Sequence, residues 1–276
     1  MFELPELTAI ASQMAEAIEG KTIAEGFLGN SPHKFVWYNR EHDEFSALVS
    51  RKRIGHPHAE GKWLFVPLEP GLVLLIGEWG GRILYHQPPA SPPKKYHLYL
   101  AFEDESALSA TTQMWGGVGL FEQGRERDYQ YVKDMRTQPC DPEFTWEYFV
   151  RLAGEARAEG KRSVKGLLTQ EGFVPGVGSA IAQDIMFRAR LNPRRDLAEL
   201  SSAELRALYD ETVATVSEVT AAGGRNDERD LFGDPGGYER IMSAKSAGGP
   251  CPACGTPIEK IQYLGGACYL CPTCQV

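Results

Sequence analysis

The sequence predicts an α+β protein in which an N-terminal β domain precedes a helical domain and a cysteine-rich C-terminal segment. Three observations carry this prediction. β-like runs broken by Gly, Pro and acidic turns fill much of residues 62–110, and helical periodicity dominates from about residue 135. Five of the six cysteines then fall in the last 26 of the 276 residues. With 42% hydrophobic residues, a chain of this length can form two modest domains and a small appendage.

The first predicted element is an amphipathic helix near the N-terminus. Pro5 suits a first helical turn, and Gly20 can end the helix. Between them, apolar residues recur at helical spacing: Leu7, Ile10, Ala11, Met14 and Ile18. Five predicted strands follow, at Lys62–Val66, Leu72–Ile76, Arg82–Tyr85, Tyr96–Phe102 and Ala107–Ala110. Short strands at this spacing indicate a sandwich or a barrel.

Helical signals organise the second half of the chain. Asp141-Pro142 is expected to cap and open one helix, and Ser163 to cap a short helix through Gln170. Gly176–Ser179 leads into a further helix, and Ser201 with Glu204 forms a capping-box pattern for a long one that ends at Gly223-Gly224. We therefore expect three segments, at residues 1–134, 135–230 and 231–276.

Charge is distributed unevenly along the chain. The formal net charge is −8, which as an average argues against binding to nucleic acid. From Arg151 to Arg195, however, nine Lys and Arg oppose four Asp and Glu, a local +5 that leaves −13 elsewhere. One interpretation is a basic face that contacts phosphates, and the other is a charged helical surface that is simply solvated.

The N-terminal residues give no sign of export. Met1–Glu6 carries acids where a signal peptide needs basic residues, and no apolar run approaches the roughly 18 residues of a membrane span. We expect a cytoplasmic monomer, associated with the nucleoid if the source is bacterial.

The C-terminal cysteines have the spacing of a metal site. Cys251 and Cys254 enclose two residues, as do Cys271 and Cys274, and sixteen residues separate the pairs. This pattern is typical of four thiolates around one structural zinc ion, with a β-hairpin between the two knuckles. Disulfides are the alternative, but they belong to oxidising compartments. Cys268 is interpreted as a hairpin side chain and Cys140 as a structural free thiol.

Three separated regions together resemble the formamidopyrimidine-DNA glycosylase and endonuclease VIII family. Glu3-Leu4-Pro5-Glu6 is similar to its opening motif, and Gly166–Gln170 through Gly176–Ser179 to Asn192-Pro193 is similar to its helix-two-turn-helix. The third region is the cysteine ribbon. The resemblance implies an N-terminal β-sandwich with flanking helices, a helix-two-turn-helix domain and a zinc ribbon. It also implies double-stranded DNA with a damaged base as partner, and a flipped-out nucleotide whose base is excised in base excision repair.

Several positions depart from the family pattern. Phe2 stands where the family has the proline whose amine forms a Schiff base, and Gly266 stands where it has a phosphate-holding hairpin arginine. Glu3 and Glu6 remain as catalytic candidates, together with the Met1 amine as a possible replacement nucleophile. The resemblance therefore predicts a glycosylase that is monofunctional, with weak or absent strand cleavage.

The resemblance also assigns candidate DNA contacts. The loop positions that fill the hole left by the flipped base correspond to Trp79, Gln113 and Trp115, although both tryptophans could equally be core residues. The resemblance also places Lys62 and Ser179 at phosphate contacts, and the turn at Gly178 exposes N–H groups at a helix start. The local charge excess adds Lys165, Arg188 and the Arg194-Arg195 pair as further candidates for phosphate contacts.

Two other functions remain open from the sequence. One is a catalytically silent protein of the same fold that binds damaged DNA. The other is a zinc-ribbon regulator or protein-interaction module unrelated to repair, which fits the basic helical segment poorly.

Overall fold

The computed structural model describes residues 1–30, 35–160, 163–170 and 172–276. They form two compact units. The first contains Met1–Met135 and Ala222–Gly237, and the second contains Arg136–Ala221 and Tyr238–Val276. The expected boundary at 230/231 is therefore wrong, because residues 222–237 belong to the first unit. The reason is that this segment bonds to the first unit: the Leu231 N–H donates to Gln13 Oε1 at 3.0 Å, and the Leu231 carbonyl accepts from the Tyr85 N–H at 2.9 Å.

The first unit is a β-sandwich with two helices. The helices are α1 (Leu4–Ile18) and α2 (His42–Val49). The strands are β1 (Ile23–Leu28), β2 (Val36–Tyr38), β3 (Arg53–Ile54), β4 (His58–Glu60), β5 (Trp63–Glu69), β6 (Leu72–Gly77), β7 (Gly81–His86), β8 (Leu98–Phe102), β9 (Ala107–Thr112) and β10 (Gly116–Glu122). One sheet has the order β1-β8-β9-β7, and the other has the order β2-β10-β6-β5-β3 with β4 paired to β5.

A single apolar core joins the two sheets to α1. It contains Ile10 and Met14 of α1, Leu74 of β6 and Leu100 of β8. Strand β6 is buried along nearly its whole length because its other face packs into a second cluster with Trp63 and Phe65. The predicted α+β class and the sandwich are confirmed by this arrangement.

Strand β10 was not predicted from the sequence because glycine is rare inside strands. Its glycines have a packing reason. A Cβ on Gly117 would lie 3.0 Å from the Trp63 ring, and one on Gly77 of the neighbouring strand would lie 2.1 Å from the same ring. The indole of Trp63 therefore lies across two glycines that pair with each other.

The second unit combines four helices with a hairpin. The helices are α3 (Trp146–Ala158), α4 (Val164–Thr169), α5 (Ser179–Arg188) and α6 (Ser202–Ala221). The hairpin strands are β11 (Glu259–Tyr263) and β12 (Gly266–Leu270). Ser201 and Glu204 form the predicted capping box: the Ser201 N–H donates to Glu204 Oε2 at 2.8 Å, and the Glu204 N–H donates to Ser201 Oγ at 3.3 Å. In the described part of the chain, no helix combines the length and the apolar character needed to cross a membrane.

Helix α3 begins later than the sequence predicts. Asp141 accepts a hydrogen bond from the Gln138 backbone N–H at 3.0 Å and so closes a turn before the helix. Thr145 is the N-cap instead, and its hydroxyl accepts from the Tyr148 N–H at 3.2 Å.

Candidate active site and candidate metal centre

A buried ionic cluster surrounds the start of α1. Glu3 is 4% exposed, and Glu6 and Arg225 are each 3% exposed. The backbone N–H and Nε of Arg225 donate to Glu6 Oε1 at 3.0 and 2.9 Å, and its Nη2 donates to Glu6 Oε2 at 3.0 Å. Charged side chains are seldom buried so completely unless they are paired, and a two-pronged guanidinium–carboxylate contact is the strongest pairing available.

Glu6 has little capacity left for chemistry. Its Oε2 also accepts the backbone N–H of Glu3 at 2.8 Å, so four donors converge on one carboxylate. An ionised carboxylate accepts about four hydrogen bonds. This saturation favours a role for Glu6 in fixing the N-terminal segment over its predicted catalytic role.

Glu3 is differently placed. It is the N-cap residue of α1, and its Oε1 lies 4.0 Å from Arg225 Nη1, beyond hydrogen-bonding distance. Burial acts to lower the pKa of the Arg225 guanidinium, but the charges of Glu3 and Glu6 outweigh it and raise that pKa above its ordinary value. A permanent positive charge thus faces Glu3, which remains the candidate catalytic carboxylate.

The two residues before Glu3 are held firmly. The Met1 amine pairs with Glu228 Oε1 at 2.9 Å, and the Met1 carbonyl accepts from Arg225 Nη2 at 2.8 Å. Phe2 is fully buried, and its backbone N–H donates to the Trp79 carbonyl at 2.9 Å. The nitrogen at position 2 is therefore a hydrogen-bonded amide. An ammonium group such as that of Met1 must first lose a proton before it can act as a nucleophile.

The two candidate tryptophans have opposite environments. Trp79 is 1% exposed, and its Nε1 donates to the Thr111 carbonyl at 2.9 Å, so it is a core residue and the expectation that it fills a gap in DNA is wrong. Trp115 is 56% exposed, with Gln113 and Met114 also exposed beside it. Its ring centroid lies 4.9 Å from that of exposed Phe35.

Lys62 precedes β5 and follows Gly61, whose φ of +56° sets the turn. Its side chain is half-buried, and its backbone carbonyl accepts from the Glu78 N–H at 3.1 Å. Lys62 remains a candidate for a phosphate contact.

The start of α5 has the features of an anion site within the second unit. Gly178 is its N-cap, Ser179 is exposed, and its first turn contains no acidic residue. Gly176, with φ of +78°, makes the preceding turn possible. Backbone N–H groups and the positive end of the helix dipole favour a phosphate at such a position.

Lys165 does not contribute to a basic surface. It is buried, and its Nζ donates to the carbonyl of Tyr263 at the tip of the hairpin, at 2.5 Å. Its predicted role as a phosphate contact is therefore wrong, and its ammonium group satisfies a hairpin carbonyl instead.

Arg188 is also engaged within the protein. It pairs with Glu218 at 2.5 Å, and its Nη2 lies 3.3 Å from the Tyr238 hydroxyl. The hydrogen bond to Glu218 raises the pKa of Arg188 in spite of burial. Since the charge of Arg188 is already neutralised, we do not assign it a phosphate contact.

Arg194, in contrast, is exposed beside the hairpin, and its guanidinium lies over the Tyr263 ring at 5.5 Å from the ring centroid.

The four ribbon cysteines converge. The Sγ atoms of Cys251, Cys254, Cys271 and Cys274 all lie within 4.8 Å of one another. The Cys251–Cys274 and Cys254–Cys271 sulfur distances are 3.9 and 3.4 Å. Four thiolates bound tetrahedrally at about 2.3 Å would be separated by about 3.8 Å, so this set fits a metal ion. Cys268 is buried in β12 and lies outside the set.

Comparisons with known proteins cover nearly the whole chain. A family model described as the formamidopyrimidine-DNA glycosylase N-terminal domain matches residues 1–114. A formamidopyrimidine-DNA glycosylase of Bacillus cereus is 26% identical over 279 residues, covering 100% of this chain and 99% of the relative. The crystal structure of the MutM (Fpg) protein from Thermus thermophilus matches with a TM-score of 0.84 and 26% identity, over 99% of this chain and 98% of that one.

The family model, the full-length relatives and the solved structures all support membership of the formamidopyrimidine-DNA glycosylase and endonuclease VIII family. The fold is also shared with the Lactococcus lactis Fpg solved with DNA containing an abasic site, with a TM-score of 0.83 and 20% identity, over 99% of each chain. This full-length similarity gives no support to the unrelated zinc-ribbon regulator that the sequence left open.

The sequence did not reveal two members of the ionic cluster, Arg225 and Glu228. Both lie shortly after Gly223-Gly224, in a run of charged and polar residues that resembles any solvated loop. Arg225 is buried and Glu228 is half-buried. The only sequence signal is the glycine pair, whose reason appears in the structure: a Cβ on Gly224 would lie 2.8 Å from Glu6 Cγ.

Proposed function

We propose that this protein is a DNA glycosylase of base excision repair that releases a damaged base from double-stranded DNA by hydrolysis, with weak or absent strand cleavage. The observation that carries the proposal is the contrast at the N-terminus: Glu3 is a buried carboxylate beside Arg225, whereas the nitrogen of residue 2 is an amide bonded to the Trp79 carbonyl. Glycosylase relatives across its full length support the reaction class.

In the proposed reaction, Glu3 orients a water molecule toward the anomeric carbon of the flipped nucleotide. The bond between that carbon and the base breaks, and its electron pair leaves with the base, which is protonated from solvent. Water adds to the oxocarbenium-like sugar while Glu3 accepts its proton, as one carboxylate does in glycoside hydrolysis. The product is an intact abasic strand, because no iminium forms to drive elimination.

Exposed and half-buried residues of each unit supply DNA contacts. In the first unit, Trp115 with Phe35 offers an aromatic wedge that can stack in the gap left by a flipped base, and Lys62 offers one cation. In the second unit, the exposed Ser179 at the start of α5 offers its hydroxyl to a phosphate at the positive end of the helix dipole.

The cysteine set holds one structural zinc ion in this proposal. Four thiolates leave no position for water, which is typical of sites that stabilise a fold and do not catalyse. We also expect the protein to act as a monomer in the cytoplasm.

A catalytically silent protein that binds damaged DNA is the second candidate. It is favoured by the same amide at position 2 and by the pairing of the Met1 amine with Glu228, since both remove the family's covalent route. It predicts tight binding to lesion duplexes without release of any base.

One experiment separates the two candidates. Wild-type protein is incubated with a panel of duplexes, each with one damaged base, and free base and strand breaks are measured separately. We expect base release that is lost in Glu3→Gln, and unchanged release in the control Glu16→Gln, which alters an exposed acid on the same helix. Binding to a lesion duplex without base release from any member of the panel would favour the silent protein.

A further inference from the structure

The loop that follows α6 reaches into the ionic cluster through Arg225. Gly223 and Gly224 have φ of +72° and +97°, and Gly224 is closely packed against Glu6. A Cβ on Gly236 would lie 2.2 Å from the Gly224 carbonyl oxygen, so the later part of the loop also packs closely against Gly224. This backbone is built to deliver one side chain to the carboxylates.

The hydrogen bonds that Arg225 donates serve the N-terminal segment. Nε and the backbone N–H bind Glu6, and Nη2 bridges Glu6 and the Met1 carbonyl. Nη1 faces Glu3 at 4.0 Å, and Nη2 lies 3.5 Å from Glu228. The charged groups around it are therefore the carboxylates of Glu3, Glu6 and Glu228 and the Met1 amine.

Stability alone is a poor reason for such an arrangement. A buried ion pair can often be replaced by apolar residues without loss of stability, because the cost of removing the charges from water offsets their attraction. The cluster does, however, connect Arg225 to the backbone of Glu3 through Glu6, by bonds of 2.9, 3.0 and 2.8 Å.

We propose that Arg225 is a positioning residue for base excision, acting through Glu6 to fix Glu3 and facing the Glu3 carboxylate with its own charge. The inference rests on the proposed glycosylase function. Arg225 does not touch the reacting atoms. Its removal leaves Glu3 in the chain but frees the N-terminal segment that aims it, so the chemical step slows while DNA binding is retained.

The test measures single-turnover base release and duplex affinity separately, for wild type, Arg225→Gln and Arg225→Lys. The matched control is Arg229→Gln, in the same loop, whose guanidinium donates to the Asn226 and Glu228 carbonyls. We expect Arg225→Gln to slow release roughly 100-fold, the scale of a misplaced acid–base group, with affinity nearly unchanged. Arg225→Lys keeps the charge without the forked contact, so its rate should fall between those of wild type and Arg225→Gln.

A double variant guards against simple unfolding. Arg225→Met with Glu6→Leu removes both charges, so neither is left buried without its partner. We expect this protein to fold, bind DNA and release base as slowly as Arg225→Gln. Release at the wild-type rate by either variant overturns the positioning role but leaves the glycosylase proposal standing. A wild-type protein that releases no base overturns both.

Discussion

Arg225 lies 219 residues beyond Glu6 in the chain, yet its guanidinium donates to both oxygens of the Glu6 carboxylate, at 2.9 and 3.0 Å. The contact joins the loop after α6 to the first turn of α1 within one unit. Glu6 is thereby saturated by donors, and Glu3 is the carboxylate to which we assign the reaction.

The two tryptophans that precede Gly-Gly pairs should respond oppositely to truncation. Trp115→Ala removes an exposed ring, so duplex affinity should fall about tenfold, within the roughly 1–3 kcal/mol that stacking rings contribute, with the melting temperature unchanged. Trp79→Ala should lower the free energy of unfolding by about 3–5 kcal/mol, as large buried side chains do. Thermal melts and fluorescence-polarisation titrations of both variants decide this. Equal affinity of Trp115→Ala and wild type for lesion duplexes would remove Trp115 from the DNA interface.

The tryptophans also show where sequence reasoning reaches its limit. Trp79-Gly80-Gly81 and Trp115-Gly116-Gly117 have the same local pattern, and only packing separates them. A Cβ on Gly116 would lie 2.7 Å from the Trp79 ring, so the core position of one tryptophan explains the glycine after the other. Strands with regular apolar runs and the ribbon cysteines were predictable because their signals are local.

Lys165 should prove to be a structural residue. Lys165→Met leaves the Tyr263 carbonyl without its buried donor, which should cost about 1–3 kcal/mol of stability. The salt dependence of DNA binding should stay as in the wild type, since no phosphate contact is lost. Unchanged stability together with a shallower salt dependence would restore Lys165 to the DNA interface.

Lys165 was assigned to phosphate because it lies in a basic stretch of sequence. Its partner is 98 residues away, in a hairpin whose register the sequence does not specify. Arg225, Lys165 and Arg188 were all misjudged or missed for this reason: the sequence shows the charge, whereas the distant group that pairs with it appears only in the folded chain.

Removal of the metal should unfold the ribbon. Cys251→Ser with Cys274→Ser deletes two of four thiolates, so purified protein should lose its one equivalent of zinc, and the second unit should melt at lower temperature. Metal analysis and thermal melts of both proteins provide the measurement. Wild-type protein without zinc, or a double variant that folds and binds DNA normally, would be incompatible with a structural zinc site.

DNA affinity should fall steeply as salt rises, in spite of the acidic net charge. We assign phosphate contacts to two cations, the half-buried Lys62 and the exposed Arg194. Each alanine substitution should reduce the slope of log affinity against log salt by about 0.9. Arg206→Ala is the control, because that guanidinium pairs with Asp210 on α6. Affinity that does not change between low and physiological salt would contradict this assignment.

Borohydride trapping on a duplex with an abasic site tests the central claim most directly. A family enzyme that carries the N-terminal proline serves as positive control, since its imine is reduced to a stable protein–DNA adduct. For this protein we expect released base from a lesion duplex, an intact abasic strand and no comparable adduct, because Phe2 supplies only an amide nitrogen. A strong adduct accompanied by strand cleavage would show that the Met1 amine or a lysine has become the nucleophile, and the monofunctional mechanism would be wrong.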